Sequence, residues 1–304
     1  MYSTKILKDS IGPAGIRLTT WELTYPRFVH AELMTHRVFS RNSASSRAIP
    51  VTKMLERIES DPALPVFWGK NQKGMQASEE LLGEALERAK NVWAQARDAA
   101  VGFVRRLQQP DIDLHKQLAN RVTEPWMFIT VIVSATSFTN WFRLRHHKDA
   151  QPEIKWVATD MLEKYQRSTP EVLKAGEWHL PMLEDRVELE AAGHGIDDLK
   201  AISAGRVARV SYLTHDGRKA PPEDIALGAR LGTQDPPHMS PLEHIAMAME
   251  LAEWNNLALR TLNEAMMTNE PFNPMMLGNF VAWHQYRKEF RNEHGFDFDL
   301  KELS

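Results

Sequence analysis

From Ile16 the chain alternates apolar or aromatic residues with polar ones through Leu18, Thr20, Trp21 and Leu23 until Pro26, the pattern of a strand. Phe28, Ala31, Leu33 and Met34 then recur at helical spacing toward Arg37, which predicts a helix. Between Ser78 and Gln108, Leu81, Leu82, Ala85, Leu86, Ala89, Val92, Trp93 and Ala96 form one apolar stripe with charges opposite. This predicts a long amphipathic helix with Ser78 as its N-cap. The β-branched run Phe128–Val133 predicts a buried strand, followed by a helix from Thr136 or Ser137 to Arg145. A further helix is predicted over Gln151–Tyr165, with Pro152 in its first turn. The acidic stretch Glu171–Asp198, broken by Pro181, Gly193 and Gly195, reads as a connector between two halves. Helices follow over Asp198–Val210 and from Pro221, and roughly the last 65 residues read as helical and Met-rich until Gly278.

At 304 residues, 43% hydrophobic and 25% charged, the chain can bury a full core, which excludes disordered, collagen-like and coiled-coil classes. No run approaches the roughly 20 apolar residues of a membrane span, and Met1–Ser10 lacks the apolar run of a signal peptide. The expectation is a cytoplasmic protein without a membrane partner. A formal charge of -3 supplies no global basic field for nucleic acid, so an anion must be held by a local site. With zero cysteines, thiolate nucleophiles, disulfides and iron-sulfur clusters are excluded, and a cofactor becomes the expected source of harder chemistry.

Candidate chemistry concentrates in three segments. Thr35–Arg47 (THRVFSRNSASSR) supplies donors almost without interruption, and small hydroxyl residues ending in an Arg suit an anion; a polar surface loop with Ser caps is the alternative. His238–His244 (HMSPLEH) offers a capping box from Ser240 and Glu243 with Pro241 at the first helical position. It also offers two histidines and a carboxylate around one hydroxyl. His238 and His244, six apart, do not share a helix face as zinc ligands would, and no metal site is expected. In Asn140–Ile154 (NWFRLRHHKDAQPEI), Asn140 and Arg143 share a face while Arg145 points elsewhere, which alone reads as a solvated helix. Ala208–Tyr212 (ARVSY) and Asn120–Pro125 are shorter signals.

Together these segments resemble the flavin-dependent thymidylate synthase family, whose hallmark is RHRxxSxNExSxRY. His36, Arg37, Ser40, Asn42, Ser45 and Arg47 match it; Thr35, Ser43 and Ala48 depart from it, and Glu32 stands where the family has Gln. ARVSY is similar to the family's AR(V)S(F/Y) segment, HMSPLEH to its H-x-(S/T)-P-F-E-H segment, Asn120–Pro125 to its ARxxLP segment, and Asn140–Ile154 to its NFxxLRxxxxAQxEI segment, with Asp149 replacing a His. Asn279–Lys288 faintly resembles the helix leading into the hallmark.

The segments that open the family's usual order come last here, so the resemblance implies a circular permutation. The expected fold is α/β, a central β-sheet flanked by helices, in a single permuted domain with additional long helices. Residues 1–165 would match the family's second half with a helical insertion at about 60–115, 166–197 would connect, and 198–304 would match the first half plus a helical extension.

The resemblance implies reductive methylation of C5 of a uridine monophosphate, dUMP or UMP. Methylenetetrahydrofolate would donate the carbon, NADPH the electrons, and FAD would mediate, in a homotetramer with shared sites. His36, Arg37, Ser40, Asn42, Asn140, Ser211, His238, Ser240 and Glu243 would contact FAD. Ser45, Ser46, Arg47 and Arg121 would hold the phosphate, Arg145 would sit against the pyrimidine and Glu32 would also bind the substrate, with Arg145 and Ser45 catalytic. Two other readings stay open: a non-catalytic nucleotide- or RNA-binding relative, and a His-dependent metal hydrolase.

Overall fold

A computed structural model describes residues 1–211, 219–268, 278–290 and 293. Its main sheet contains β1 (Ser3–Ile11), β2 (Arg17–Pro26), β3 (Ser40–Ser43), β4 (Phe128–Ala135) and β5 (Glu171–Val172), in the order β3-β4-β2-β1-β5. All neighbours pair antiparallel except β1 and β5. A smaller antiparallel sheet, β6 (Trp178–His179), β7 (Ala246–Ala248) and β8 (Trp283–Gln285), is ordered β6-β7-β8.

The helices are α1 (His30–Met34), α2 (Val51–Ser60), α3 (Gly83–Leu107), α4 (Lys116–Ala119), α5 (Thr139–Arg145), α6 (Pro152–Arg167), α7 (Arg186–Ala191), α8 (Ile196–Arg209), α9 (Pro221–Thr233) and α10 (Leu251–Thr268). The fold is α/β, as expected. Among the described residues, no helix is long and apolar enough to cross a membrane.

Period-two alternation gives the main sheet two different faces. Trp21, Leu23 and Tyr25 of β2 and Val131 and Val133 of β4 pack against Phe138, Trp141, Ile154, Val157 and Met161 around α5 and α6. On the other face, Ile132 meets Val207 and Val210 at the end of α8. That face is also joined to the small sheet by a chain of fully buried polar groups. His179 bonds Ser10 through Nδ1 (2.9 Å) and Thr20 through Nε2 (2.8 Å); Thr20 bonds Ser134 (2.6 Å), and Ser134 bonds Nδ1 of His244 (2.8 Å). Burial holds both imidazoles neutral, His244 with its pKa down at about 3.

The strand and helix expected over Ile16–Arg37, the strand from Phe128 and the helix from Pro152 lie where the periodicity put them. Ser78, however, is not an N-cap. Its Oγ and N–H both bond Oε1 of Gln72, and α3 begins at Gly83 after an uncapped Leu82. The stretch 166–197 carries β5, β6 and α7 and buries Leu173, Trp178 and Leu180. The last 65 residues are not uniformly helical: β7 and β8 flank α10. The expected helical run beyond Thr268 and the motif residue Tyr212 lie outside the described residues.

Candidate active site

In β3, Ser40 and Asn42 are in register with Ser134 and Ile132, so they point to the sheet face that carries the small sheet and α8. Buried Asn42 donates from Nδ2 to the Val207 carbonyl (2.7 Å), and its Oδ1 accepts from Ser211 Oγ (2.9 Å) and Ser240 Oγ (3.2 Å). One amide therefore joins three segments separated by up to 198 positions along the chain. With Ser240 donating to Asn42, His238 donates from Nε2 to the same hydroxyl (3.1 Å), and burial lowers the His238 pKa.

Glu243 continues this group. Its carboxylate pairs with Arg287, whose Nε also bonds Glu293 at 2.6 Å. Burial raises the Glu243 pKa while the guanidinium opposes that shift. The capping box is not formed: Ser240–His244 is a 3-10 turn with no side-chain cap, since Ser240 and Glu243 bond Asn42 and Arg287 instead. Ser40 Oγ accepts from Asn279 Nδ2 (3.2 Å) and Gln285 Nε2 (3.3 Å). Sequence reasoning gave no role to Asn279, Gln285 or Arg287; their only signal is the faint motif likeness of Asn279–Lys288.

A second group forms where α5 meets α1. Arg145 donates to Nε2 of His36 from Nε (3.1 Å), to the Glu32 carbonyl and Thr35 Oγ1 from Nη2 (3.2 and 3.0 Å), and to the Glu32 carboxylate from Nη1. Four of its five N–H groups are thus engaged within the protein. Buried His36 stacks on Phe39 with centroids 5.5 Å apart and meets the edge of Trp141 at 5.0 Å. Burial, then the charges of Arg145 and Arg41, push its pKa down to about 4. Arg37 and Asn140 are exposed and have no partner among the described residues.

The third group is the loop after β3. Ser45 starts a turn closed by the Ala48 N–H (3.0 Å), Ser46 is buried, and Arg47 is exposed and unpaired among the described residues. Asn120, buried beneath, donates to the Ser46 and Ile49 carbonyls at 2.7 and 2.9 Å and so fixes the loop's shape. No sequence signal singled out Asn120 for that task. The neighbouring Arg121 pairs with Glu124 at 2.8 Å, with about half of its side chain exposed.

A groove of about 1350 Å³ opens from Glu32 and Arg145 across the start of α6. Among the described residues, no group of three or more His, Asp or Glu side chains could hold a metal ion.

Two solved structures similar to this chain are those of the UMP/dUMP methylase PolB from Streptomyces cacaoi, bound with 5-Br UMP and with 5-Br dUMP. They are 15% and 14% identical over 55% of this chain, covering 89% and 91% of theirs, with TM-scores of 0.44 and 0.42. No curated protein matches the sequence. The family model Thy1, thymidylate synthase complementing protein, matches residues 17–171. That span holds the hallmark-like segment and those around Arg121 and Arg145, while Ser211 and Ser240 lie beyond it and fold back onto Asn42. Over half its length, this chain belongs to the Thy1 family of thymidylate synthase complementing proteins.

Proposed function

We propose that the protein methylates C5 of a uridine monophosphate, dUMP or UMP, with FAD as cofactor, methylenetetrahydrofolate as carbon donor and NADPH as reductant. The observation that carries this reading is Asn42 bonded to both Ser211 and Ser240, three residues that the family resemblance assigns to one flavin pocket. The donor set suits a flavin. Among the described residues, Arg37 and Asn140 present polar groups without partners, and Nε2 of fully buried His244, next to Glu243 in the chain, has none either. When bound, FAD would supply the carbon and hydride transfer that no side chain here can.

The chain's own residues would bind, orient and balance charge. Arg47, held out by the turn that Asn120 fixes, would grip the phosphate with the Ser45 and Ser46 hydroxyls. Arg145, locked by Glu32, Thr35 and His36, would place positive charge against the pyrimidine as C5 becomes nucleophilic. No cysteine exists to add to C6, which fits the family's use of a reduced flavin in place of a thiolate nucleophile. The motif order is read as a circular permutation with residues 166–197 as the joining segment, and the assembly as a cytoplasmic homotetramer with shared sites.

Purified protein should be yellow, release flavin on denaturation, and methylate UMP or dUMP in side-by-side assays with methylenetetrahydrofolate and NADPH. A colourless protein that binds nucleotide but cannot be loaded with FAD would overturn the reading in favour of a non-catalytic binding relative.

A further inference from the structure

The loop after β3 is held from behind by Lys116 and Asn120, which lie four positions apart and so share one face of α4 and the turn that continues it. Lys116 Nζ donates to the Ala48 carbonyl at 3.2 Å, and Asn120 Nδ2 donates to those of Ser46 and Ile49 at 2.7 and 2.9 Å. Three carbonyls of the loop therefore face α4. Asn120 stands where the family's ARxxLP segment has Ala, and no motif includes Lys116.

A trans peptide points its N–H opposite to its C=O. The Ser46–Arg47 and Ala48–Ile49 peptides are trans, so turning the Ser46 and Ala48 carbonyls toward α4 turns the N–H groups of Arg47 and Ile49 to the loop's other side. The third carbonyl precedes Pro50, which has no N–H to present. Among the described residues neither of the two N–H groups has an acceptor, although Ile49 is only 9% exposed. A donor in a nearly buried residue costs stability unless something else accepts from it.

Charge runs the same way. Among the described residues no carboxylate pairs with Lys116 or Arg47, whereas Arg121 is matched by Glu124. An ammonium on the Ala48 carbonyl also polarises that peptide and strengthens the Ile49 N–H as a donor. Two free N–H groups and two uncompensated cations on one turn suit an anion with several acceptor oxygens.

We infer that Lys116 is a positioning residue for the nucleotide phosphate. By holding the Ala48 carbonyl it aims the Ile49 N–H, as Asn120 aims that of Arg47, and the two main-chain N–H groups bind the phosphate oxygens beside the Arg47 side chain. This rests on the nucleotide reading of the loop and not on the methyl transfer.

The test titrates the full-length protein with UMP by calorimetry and uses inorganic phosphate as a competitor. Lys116→Met keeps the length of the side chain and removes its donor; it should weaken both ligands by about tenfold, and Lys116→Arg should restore most of that loss. In turnover the Met variant should raise KM for UMP far more than it lowers kcat, because the phosphate is held alike before and during the reaction. In amide spectra of protein carrying isotope-labelled isoleucine and arginine, the Ile49 and Arg47 N–H protons should move downfield on addition of phosphate, and the Ile49 shift should shrink in the Met variant.

Wild-type affinity for UMP in Lys116→Met would overturn the assignment, as would Ile49 and Arg47 N–H protons that do not respond to phosphate. A loss for UMP with the affinity for inorganic phosphate kept would overturn it by placing the effect elsewhere on the nucleotide. So would a loss of bound flavin in the same variant, because the loop would then hold the cofactor's pyrophosphate. A wild type that binds UMP with these shifts yet fails to methylate it would overturn the proposed reaction and leave the loop assignment standing.

Discussion

Arg145 donates its Nε–H to Nε2 of His36 across 3.1 Å, so the imidazole accepts there and carries its one proton on Nδ1. Protonating His36 would break that bond and set two cations side by side. Burial and the two neighbouring guanidinium groups accordingly hold its pKa near about 4, below the ordinary 6.5. A histidine whose folded pKa is lowered binds more protons unfolded, so its contribution is full above about 6.5 and is lost as pH falls toward about 4. His179 and His244 act with the same sign. The melting temperature should drop between pH values of about 7 and 5, and His36→Gln should flatten that slope; equal slopes by calorimetry would refute the assignment.

Arg145→Lys keeps the charge but cannot serve four acceptors in one plane. Turnover should fall roughly a hundredfold with little change in KM for nucleotide, as expected when a group acts on developing charge. A change confined to KM in steady-state assays would move Arg145 from chemistry to binding.

Asn42→Ala removes the junction of three segments. It leaves the Val207 carbonyl without its donor and takes the acceptor from Ser211 and Ser240. We expect a stability loss of about 2 to 3 kcal/mol in urea denaturation, with bound flavin falling in parallel. Full flavin occupancy in this variant would separate the junction from the cofactor.

Arg47→Ala should weaken nucleotide binding by about 1.5 to 3 kcal/mol while flavin is retained, since the side chain has no partner to release among the described residues. Titration with UMP gives the answer, and unchanged affinity would remove Arg47 from the phosphate site.

Gly228 in α9 lies so close to α8 that an added Cβ would collide with the backbone carbonyl of Ala201, whereas a Cβ at Gly102 in α3 meets nothing within 4 Å. Gly228→Ala should destabilise by about 1 to 3 kcal/mol, and Gly102→Ala should stabilise by up to about 1 kcal/mol. Thermal melts of the pair check the helix crossing directly.

The elements legible in the sequence are those with a strong local pattern: the alternation in β2, the β-branched apolar run of β4 and the apolar face of α6. β1 was not, because Lys5, Lys8 and Asp9 interrupt it. Its buried Asp9 is held by Arg17 through two bonds of 2.8 and 2.6 Å and by the Thr19 and Ser168 hydroxyls. β5 and β6 have two residues each and exist only through their partners, which no local pattern records. In the site, motif likeness brought Asn42, Ser211 and Ser240 together on paper before the fold did. Asn120, Gln285 and Arg287 lay in motif-like segments but received no role, because their importance comes from which distant carbonyl, hydroxyl or carboxylate they reach.

The pairing of β2 with β4 has a consequence for biosynthesis. β2 ends at Pro26 and its partner starts at Phe128, so a hundred further residues must leave the ribosome before the middle of the sheet can close. Until then the β1–β2 hairpin waits with Trp21, Leu23 and Tyr25 uncovered and an open edge beside them, the state in which nascent chains associate with one another. Sheltering that hairpin during translation should accordingly raise the yield of folded protein in a foreign host.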